Sequence, residues 1–312
     1  MNELEKSILK TIIYFDIFNH PLSSMEIFQY LIDYKSELKN IIYTLETSEN
    51  LKRYIESKNG FYFLKGKKNN LEIRNQNRLN SEKKIRLAIK KSQFIRYIPF
   101  VKCVCLSGSI PHFNTEKKSD IDLFIIIKKD YLWFSRFFVT IISHILGIRR
   151  HGKKIKDRLC LNFYLTDENL NLEELCYEDE LWFYFWFTQI FSILGKNEYF
   201  NFIKQNQWIL KRLPNFIAFN NISESFIKES EASQSFKKFF EIVLDNDFGR
   251  FLNYILEEIQ LFKMSFNKKS KRNNGGKEVI VNDRMLKFHE TDPRKYYNKI
   301  FLERTKFLSK NV

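Results

Sequence analysis

Ile121–Ile127, reading IDLFIII, constrains this chain more than any other segment, because one polar side chain in a run rich in β-branched residues marks a buried strand. Just upstream, Val101–Leu106 (VKCVCL) alternates as a second strand and breaks at Ser107-Gly108-Ser109. A strand that ends in Gly-Ser lets the backbone approach an anion, with free amides and a hydroxyl turned toward it. A short helix is expected from Ser109 to about Asn114.

The second strand opens on Asp120-Ile121-Asp122. Side chains alternate along a strand, so Asp120 and Asp122 share one face with α-carbons about 6.6 Å apart. Two carboxylates so placed suit Mg²⁺, a hard cation that prefers oxygen ligands and completes its shell with water and phosphates.

At 312 residues the chain is long enough for two or three compact units, and 44% hydrophobic residues supply apolar surface for their cores. The net charge of +15 is regional. Residues 1–50 carry 4 basic against 8 acidic side chains, 51–100 carry 14 against 3, 101–250 carry 20 against 19, and 251–312 carry 14 against 7. Basic patches of this kind fit a phosphate-bearing partner such as RNA, DNA or a nucleotide, and equally a lysine-rich proteome drifting with codon composition.

The four cysteines, 103, 105, 160 and 176, form no CxxC pair and no zinc-like cluster, so they read as small buried hydrophobes in a reducing compartment. No signal-peptide layout opens the sequence. Tyr131–Ile148 is interrupted by Arg136 and His144, and Leu181–Leu194 is shorter than the roughly 20 residues a span needs. Both read as buried or amphipathic helices, giving a cytoplasmic protein without a transmembrane segment.

Residues 4–18, a stretch from Ser23 or Ser24, and Ser36–Thr47 show helical spacing. Lys58-Asn59-Gly60 then sits between two β-prone runs, the pattern of a type I′ hairpin. Three helices and a hairpin resemble a winged helix-turn-helix in layout. Its third helix carries only Lys39 against Glu37 and Glu46, which favours packing or partner binding over reading a DNA groove. The wing, with Lys52, Arg53, Lys58, Lys65, Lys67 and Lys68, is more basic.

A charged connector helix follows over 70–96. Beyond about residue 170 the pattern is mostly helical: 178–194, 198–210, and 223–266 with a break near Asn246–Gly249. A mobile basic loop over 267–277, a short strand 278–281 and a final helix from Pro293 close the chain. The expected fold is α+β: a winged-helix-like module (1–68), a basic connector (69–98), a small mixed-sheet core (99–175) and a helical carboxy-terminal region (176–312).

The stretch Leu106–Leu123 resembles the signature of the DNA polymerase beta-like nucleotidyltransferase superfamily, with its hydrophobic-Gly-Ser turn and its Asp-x-Asp. The match covers about 25 of 312 residues. It implies that Gly108 and Ser109, with Ser119, bind the nucleotide and that Asp120 and Asp122 hold Mg²⁺. The implied reaction moves an NMP group from an NTP to an acceptor hydroxyl, with pyrophosphate leaving. Many members add a third carboxylate on a later strand. On Leu159–Leu165 that position is Asn162, which cannot act as a base, and Asp157 is a displaced substitute.

Three readings stay open: a one-metal or substrate-assisted transferase, a minimal transferase resembling those of toxin–antitoxin pairs, and a nucleotide-binding protein without turnover. In the last, a regulator or antitoxin-like protein, the winged module binds DNA or a partner. The basic regions lean toward a nucleic-acid or nucleotide-like acceptor over an antibiotic or a protein hydroxyl, and homo-oligomers or a partner protein are compatible. His112 reads as a surface residue or a substrate contact. Lys287, His289, Asp292 and Arg294 cluster before a helix, with Asp292 as its cap or the group as part of a substrate pocket. Trp182–Phe187 reads as core or interface.

Overall fold

The computed structural model describes residues 1–218, 226–267, 270–271 and 276–309. Most of the expected basic loop, and the start of the helix expected from Ser223, lie outside them.

α1 (Glu3–Asp16) is held at its start by a reciprocal capping box between Asn2 and Glu5, and α2 (Ser24–Gln29) by another between Ser23 and Glu26. α3 (Leu38–Thr47) and the short α4 (Glu49–Lys52) follow. Asn59 and Gly60 both have positive φ, 54° and 77°, which closes the tight hairpin of β2 (Ile55–Lys58) and β3 (Phe61–Leu64). β1 (Leu22–Ser23) pairs with β3, making a three-stranded sheet in the order β1-β3-β2.

α5 (Asn70–Ser92) carries the connector. The charged surface is its outer side. On its inner side Lys84 is buried, and its ammonium donates to Asp157 Oδ1 and to the Ser119 carbonyl, both at 2.7 Å. That contact ties α5 to the loop just ahead of the acid pair.

The large sheet has six strands in the order β7-β4-β5-β6-β9-β8. β4 (Val101–Leu106) runs antiparallel to β5 (Ile121–Ile127), and β5 runs parallel to β6 (Leu159–Thr166), with α6 (Leu132–Ile145) between them in sequence. The sheet extends past the 99–175 core expected from sequence, because three strands come from later in the chain. β7 (Phe191–Leu194) pairs with the outer edge of β4, and β9 (Met285–Phe288) and β8 (Val279–Val281) extend the other side.

The helix expected over 178–194 is therefore only α7 (Trp182–Thr188). A short apolar run has no period that separates strand from helix, and the unpaired edge of β4 decides for strand. Gly195 ends it at φ 79°, where a Cβ would sit 1.9 Å from the Lys102 carbonyl. The helix expected from Ser109 is instead a series of turns, closed by Phe113 N–H to Ile110 O and Asn114 N–H to Ser109 O. Pro111 has no N–H to give and Phe113 adopts φ 53°, so no helix propagates.

Alternation divides the core. Cys103, Cys105, Phe124, Ile126 and Phe163 face α1, α7 and α8 (Lys196–Gln205), whereas Val104, Leu106, Leu123, Ile125 and Tyr164 face the side covered by α6. α10 (Asp247–Ser265) packs on α6, and α9 (Glu231–Leu244) on the turn Gln93–Tyr97 and on α10, the break between the two helices capped by Asn246. α11 (Arg294–Ser309) closes the chain against α1 and α7. No described helix is long and apolar enough to cross a membrane.

Lys84→Met is expected to lower unfolding free energy by about 2–4 kcal/mol in urea, because a buried carbonyl and the Asp157 carboxylate lose their common donor. Asp157→Asn, which keeps an acceptor, should cost about 1 kcal/mol. Equal losses would mean that Lys84 acts through packing of its stem alone.

Candidate active site

The pairing of Leu106 with Leu123 sets the end of β4 beside the start of β5. The chain leaves β4 through Ser107, whose N–H donates to the Asp122 carbonyl at 3.1 Å, and turns at Gly108 with φ 72°. A Cβ on Gly108 would meet Asp122 Oδ2 at 2.7 Å, closer than real Cβ atoms approach. Glycine is thus required twice here, for the left-handed backbone and for the carboxylate lying against it. Among the described residues, the amides of Gly108 and Ser109 donate to no backbone carbonyl. The Ser109 hydroxyl shares a hydrogen bond with Thr115 at 3.1 Å.

Asp120, Asp122 and Cys160 place one ligand atom each within 4.8 Å of one another. Burial and the nearby charge of Asp120 push the Asp122 carboxyl up to about 7. Burial and the Asp122 charge raise the Cys160 thiol, which stays protonated. Arg150, on the loop before β6, reaches Asp120 Oδ2 at 2.5 Å and lies 3.7 Å from Cys160 Sγ. Nothing in its sequence surroundings singled it out.

Asn162 stands beside the pair, its Nδ2 donating to Asp122 Oδ1 at 2.9 Å. Alternation from Phe163 would turn Asn162 to the opposite face. The ladder shifts register, however: Asp122 faces Cys160 while Phe124 faces Phe163, so β6 holds an extra residue that re-aims the side chain. Asn162 Oδ1 is buried without a partner. Two carboxylates and this orphaned amide oxygen make an oxygen-rich donor set that fits a hard divalent cation, whereas a protonated thiol adds little to it.

The cleft in front of Asp122 has a volume of about 220 Å³. Asp122, Asn162 and Gly108 form one wall, and Trp182 and Trp186 of α7 form another. The third wall comes from β9 and the start of α11, where Lys287, His289, Asp292 and Arg294 all line the cleft. The Lys287 ammonium donates to the Lys277 carbonyl at 2.5 Å, and burial with Arg294 close by brings it down to about 8. Burial, then Lys287, brings His289 down to about 3, so its imidazole is neutral. Arg294 reaches Asp292 Oδ2 and the Leu175 carbonyl, both at 2.7 Å, and stacks on Tyr177. Asp292 also accepts the Arg294 N–H at the start of α11, so the cap and the pocket wall are the same residues.

Three other residues named from the sequence have surroundings of their own. Asp157 is held by Lys84, which commits it to fastening α5. Ser119 precedes Asp120, and its carbonyl is taken by Lys84 and by the Asp157 N–H. His112 is half-buried: its ring packs edge-on against Phe15 and Tyr30, and burial brings it down to about 3. It lines a second cleft, of about 480 Å³, with Phe15, His20 and Ser109. That cleft meets the first at Gly108, Trp182, Trp186 and Pro293. The aromatic run of α7 therefore serves partly as pocket wall, with Phe183, Phe185 and Phe187 in the core.

No family model matches the chain, and neither a curated protein nor a solved structure matches it.

Gly108→Ala should destabilise by about 2–4 kcal/mol, against about 1 kcal/mol for Gly60→Ala, whose added Cβ meets nothing. In an Asp122→Ala background the excess should vanish, since the contact partner is gone. An excess that persists would place the strain elsewhere.

Asp122 supplies a pH test with a definite sign. Its folded pKa lies above the ordinary 3.8, so the contribution to stability is full at low pH and is lost as pH rises through about 7. Chelator-treated protein should melt at a lower temperature at pH 8 than at pH 6, Asp122→Asn should flatten that difference, and added Mn²⁺ should restore the loss only in wild type. Identical profiles for wild type and variant would contradict this.

Proposed function

We propose that this chain is a Mg²⁺-dependent nucleotidyltransferase of the DNA polymerase beta-like kind, moving an NMP group from an NTP to an acceptor hydroxyl. The observation that carries the reading is the packing of the Asp122 carboxylate on Gly108, which sets a turn with unengaged amides against a pair of half-buried carboxylates. Amides of that kind bind phosphate oxygens, and paired carboxylates bind the cation that accompanies them.

In this reading Asp120 and Asp122, with Asn162 Oδ1, hold Mg²⁺. Bound there, Mg²⁺ supplies the positive charge that a triphosphate and its departing pyrophosphate need. Gly108 and Ser109 receive the β- and γ-phosphates, with Ser119 at the entrance. Arg150 offsets the charge of Asp120 when no cation is present. Two clefts that meet at Gly108 suit a reaction with two substrates, donor and acceptor.

The acceptor oxygen attacks the α-phosphorus in line, the bond to the pyrophosphate oxygen breaks, and the acceptor's proton must go to a base. Asn162 cannot take it. His289 lines the same cleft, but an imidazole held near 3 is too weak a base, so the proton passes to water. The β1-β3-β2 sheet, with β1 between α1 and α2 and the β2-β3 hairpin after α4, supports a winged-helix-like reading of residues 1–68, and the basic wing and connector support a nucleic-acid or nucleotide-like acceptor. Cytoplasmic placement belongs to the same proposal.

Asn162 also favours a second reading, a nucleotide-binding regulator without turnover. Incubation with α-³²P-NTPs and Mg²⁺, with and without total cellular RNA, separates the two. Transfer is expected, with Asp122→Asn abolishing it and Asn162→Asp, which supplies a carboxylate base, raising it. Nucleotide binding without transfer would establish the regulator, and absence of both would sink the site assignment.

A further inference from the structure

α10 presents a row of large apolar side chains to solvent. Phe248, Phe251, Ile255, Ile259, Phe262 and Phe266 are each between 37% and 70% exposed. At 100° per residue they fall within roughly a quarter of the helix circumference, a narrow stripe over five turns. The exposure is imposed by the opposite face. Asn253 Oδ1 accepts the N–H groups of Trp133 and Phe134 at 3.0 and 2.9 Å, and Gln260 Nε2 donates to the Trp133 carbonyl at 2.9 Å. These contacts fix α10 in rotation on α6, so the stripe cannot turn inward.

We propose that the stripe is the interface of a two-fold homodimer in which α10 packs antiparallel on α10 of a second copy, with Ile255 at the axis. A two-fold interface brings each residue opposite its own mirror position in sequence. The stripe meets that requirement: Phe248 and Phe262 lie seven residues either side of Ile255, and Phe251 and Ile259 four residues either side. Large side chains therefore face large side chains from Phe248 to Phe262, at the seven-residue spacing of paired helices.

The area is also sufficient. Half-exposed side chains of this size show roughly 100 Å² each. The six together reach about 600 Å², so two copies would bury about 1,200 Å², which clears the roughly 1,000 Å² expected of a specific interface. Charge argues for a second copy over a lipid surface: α10 carries Asp247, Glu257 and Glu258 against Arg250 and Lys263, without the basic excess that anionic membranes select.

Sedimentation velocity on the full chain at about 50 µM tests this. The expected species is a dimer of twice the 37.9 kDa chain mass. Phe251→Glu with Ile259→Glu should shift it to monomer while circular dichroism stays unchanged, since both positions are exposed. Under mild oxidation Ile255→Cys should give a disulfide-linked dimer beyond the wild-type background, whereas Arg250→Cys, on the far side of the helix, should not. A monomeric wild type, a dimer indifferent to the double substitution, no cross-link through Cys at 255, or co-sedimentation with anionic vesicles in place of dimerisation would each overturn the proposal.

Discussion

The antiparallel pair β4 and β5 sets the site, because the strands leave their ladder where a glycine turn and a half-buried carboxylate must occupy adjacent space. Gly108 accepts Asp122 against its α-carbon, and Asp122 takes a half-buried place beside a second carboxylate. At under 5 Å and an effective dielectric of about 20, two such charges repel by on the order of 3 kcal/mol. The fold answers with the Arg150 guanidinium on Asp120 and the Asn162 amide on Asp122. Both answers are partial, since the Asp122 carboxyl still titrates near neutrality. A site that keeps this repulsion gains most from a cation.

The cationic wall across the cleft has a different character. Lys287 and Arg294 are buried, and their donors are already engaged by backbone carbonyls, Asp292 and Glu180. Moving either toward a phosphate would strand those acceptors, a loss of about 1–3 kcal/mol for each. The wall is consequently a rigid support that shapes the cleft and keeps His289 neutral. In the proposed reading, anchoring of an anion falls to the Gly108–Ser109 turn, whose amides have no such commitments.

What the sequence disclosed followed how local each signal is. Val101–Leu106, Ile121–Ile127 and the Asn59-Gly60 hairpin announce themselves by alternation and turn chemistry within a few residues, and Asp120 and Asp122 are neighbours by strand geometry. β7 stayed hidden because an apolar run beside an aromatic helix has no period of its own, and only the bare edge of β4 selects a strand. Asn162 was found by its place on the strand, but its approach to Asp122 depends on a bulge that no local pattern marks. Arg150, and the convergence of Lys287 and His289 on Asp122, arise from pairings across more than twenty residues and across the β6–β9 ladder. Long-range register of that sort cannot be read from spacing.

The central claim is that Asp120 and Asp122 jointly hold a divalent cation next to a phosphate turn. Anomalous diffraction at the manganese edge, from crystals grown with Mn²⁺ and an α,β-methylene NTP analogue, tests it most directly. The predicted result is a peak within about 2.5 Å of a carboxylate oxygen of each aspartate, with phosphate density at Gly108 and Ser109 and Arg150 drawn off Asp120. An empty acid pair with Arg150 still in place, while Mn²⁺ or nucleotide is bound elsewhere, would contradict it.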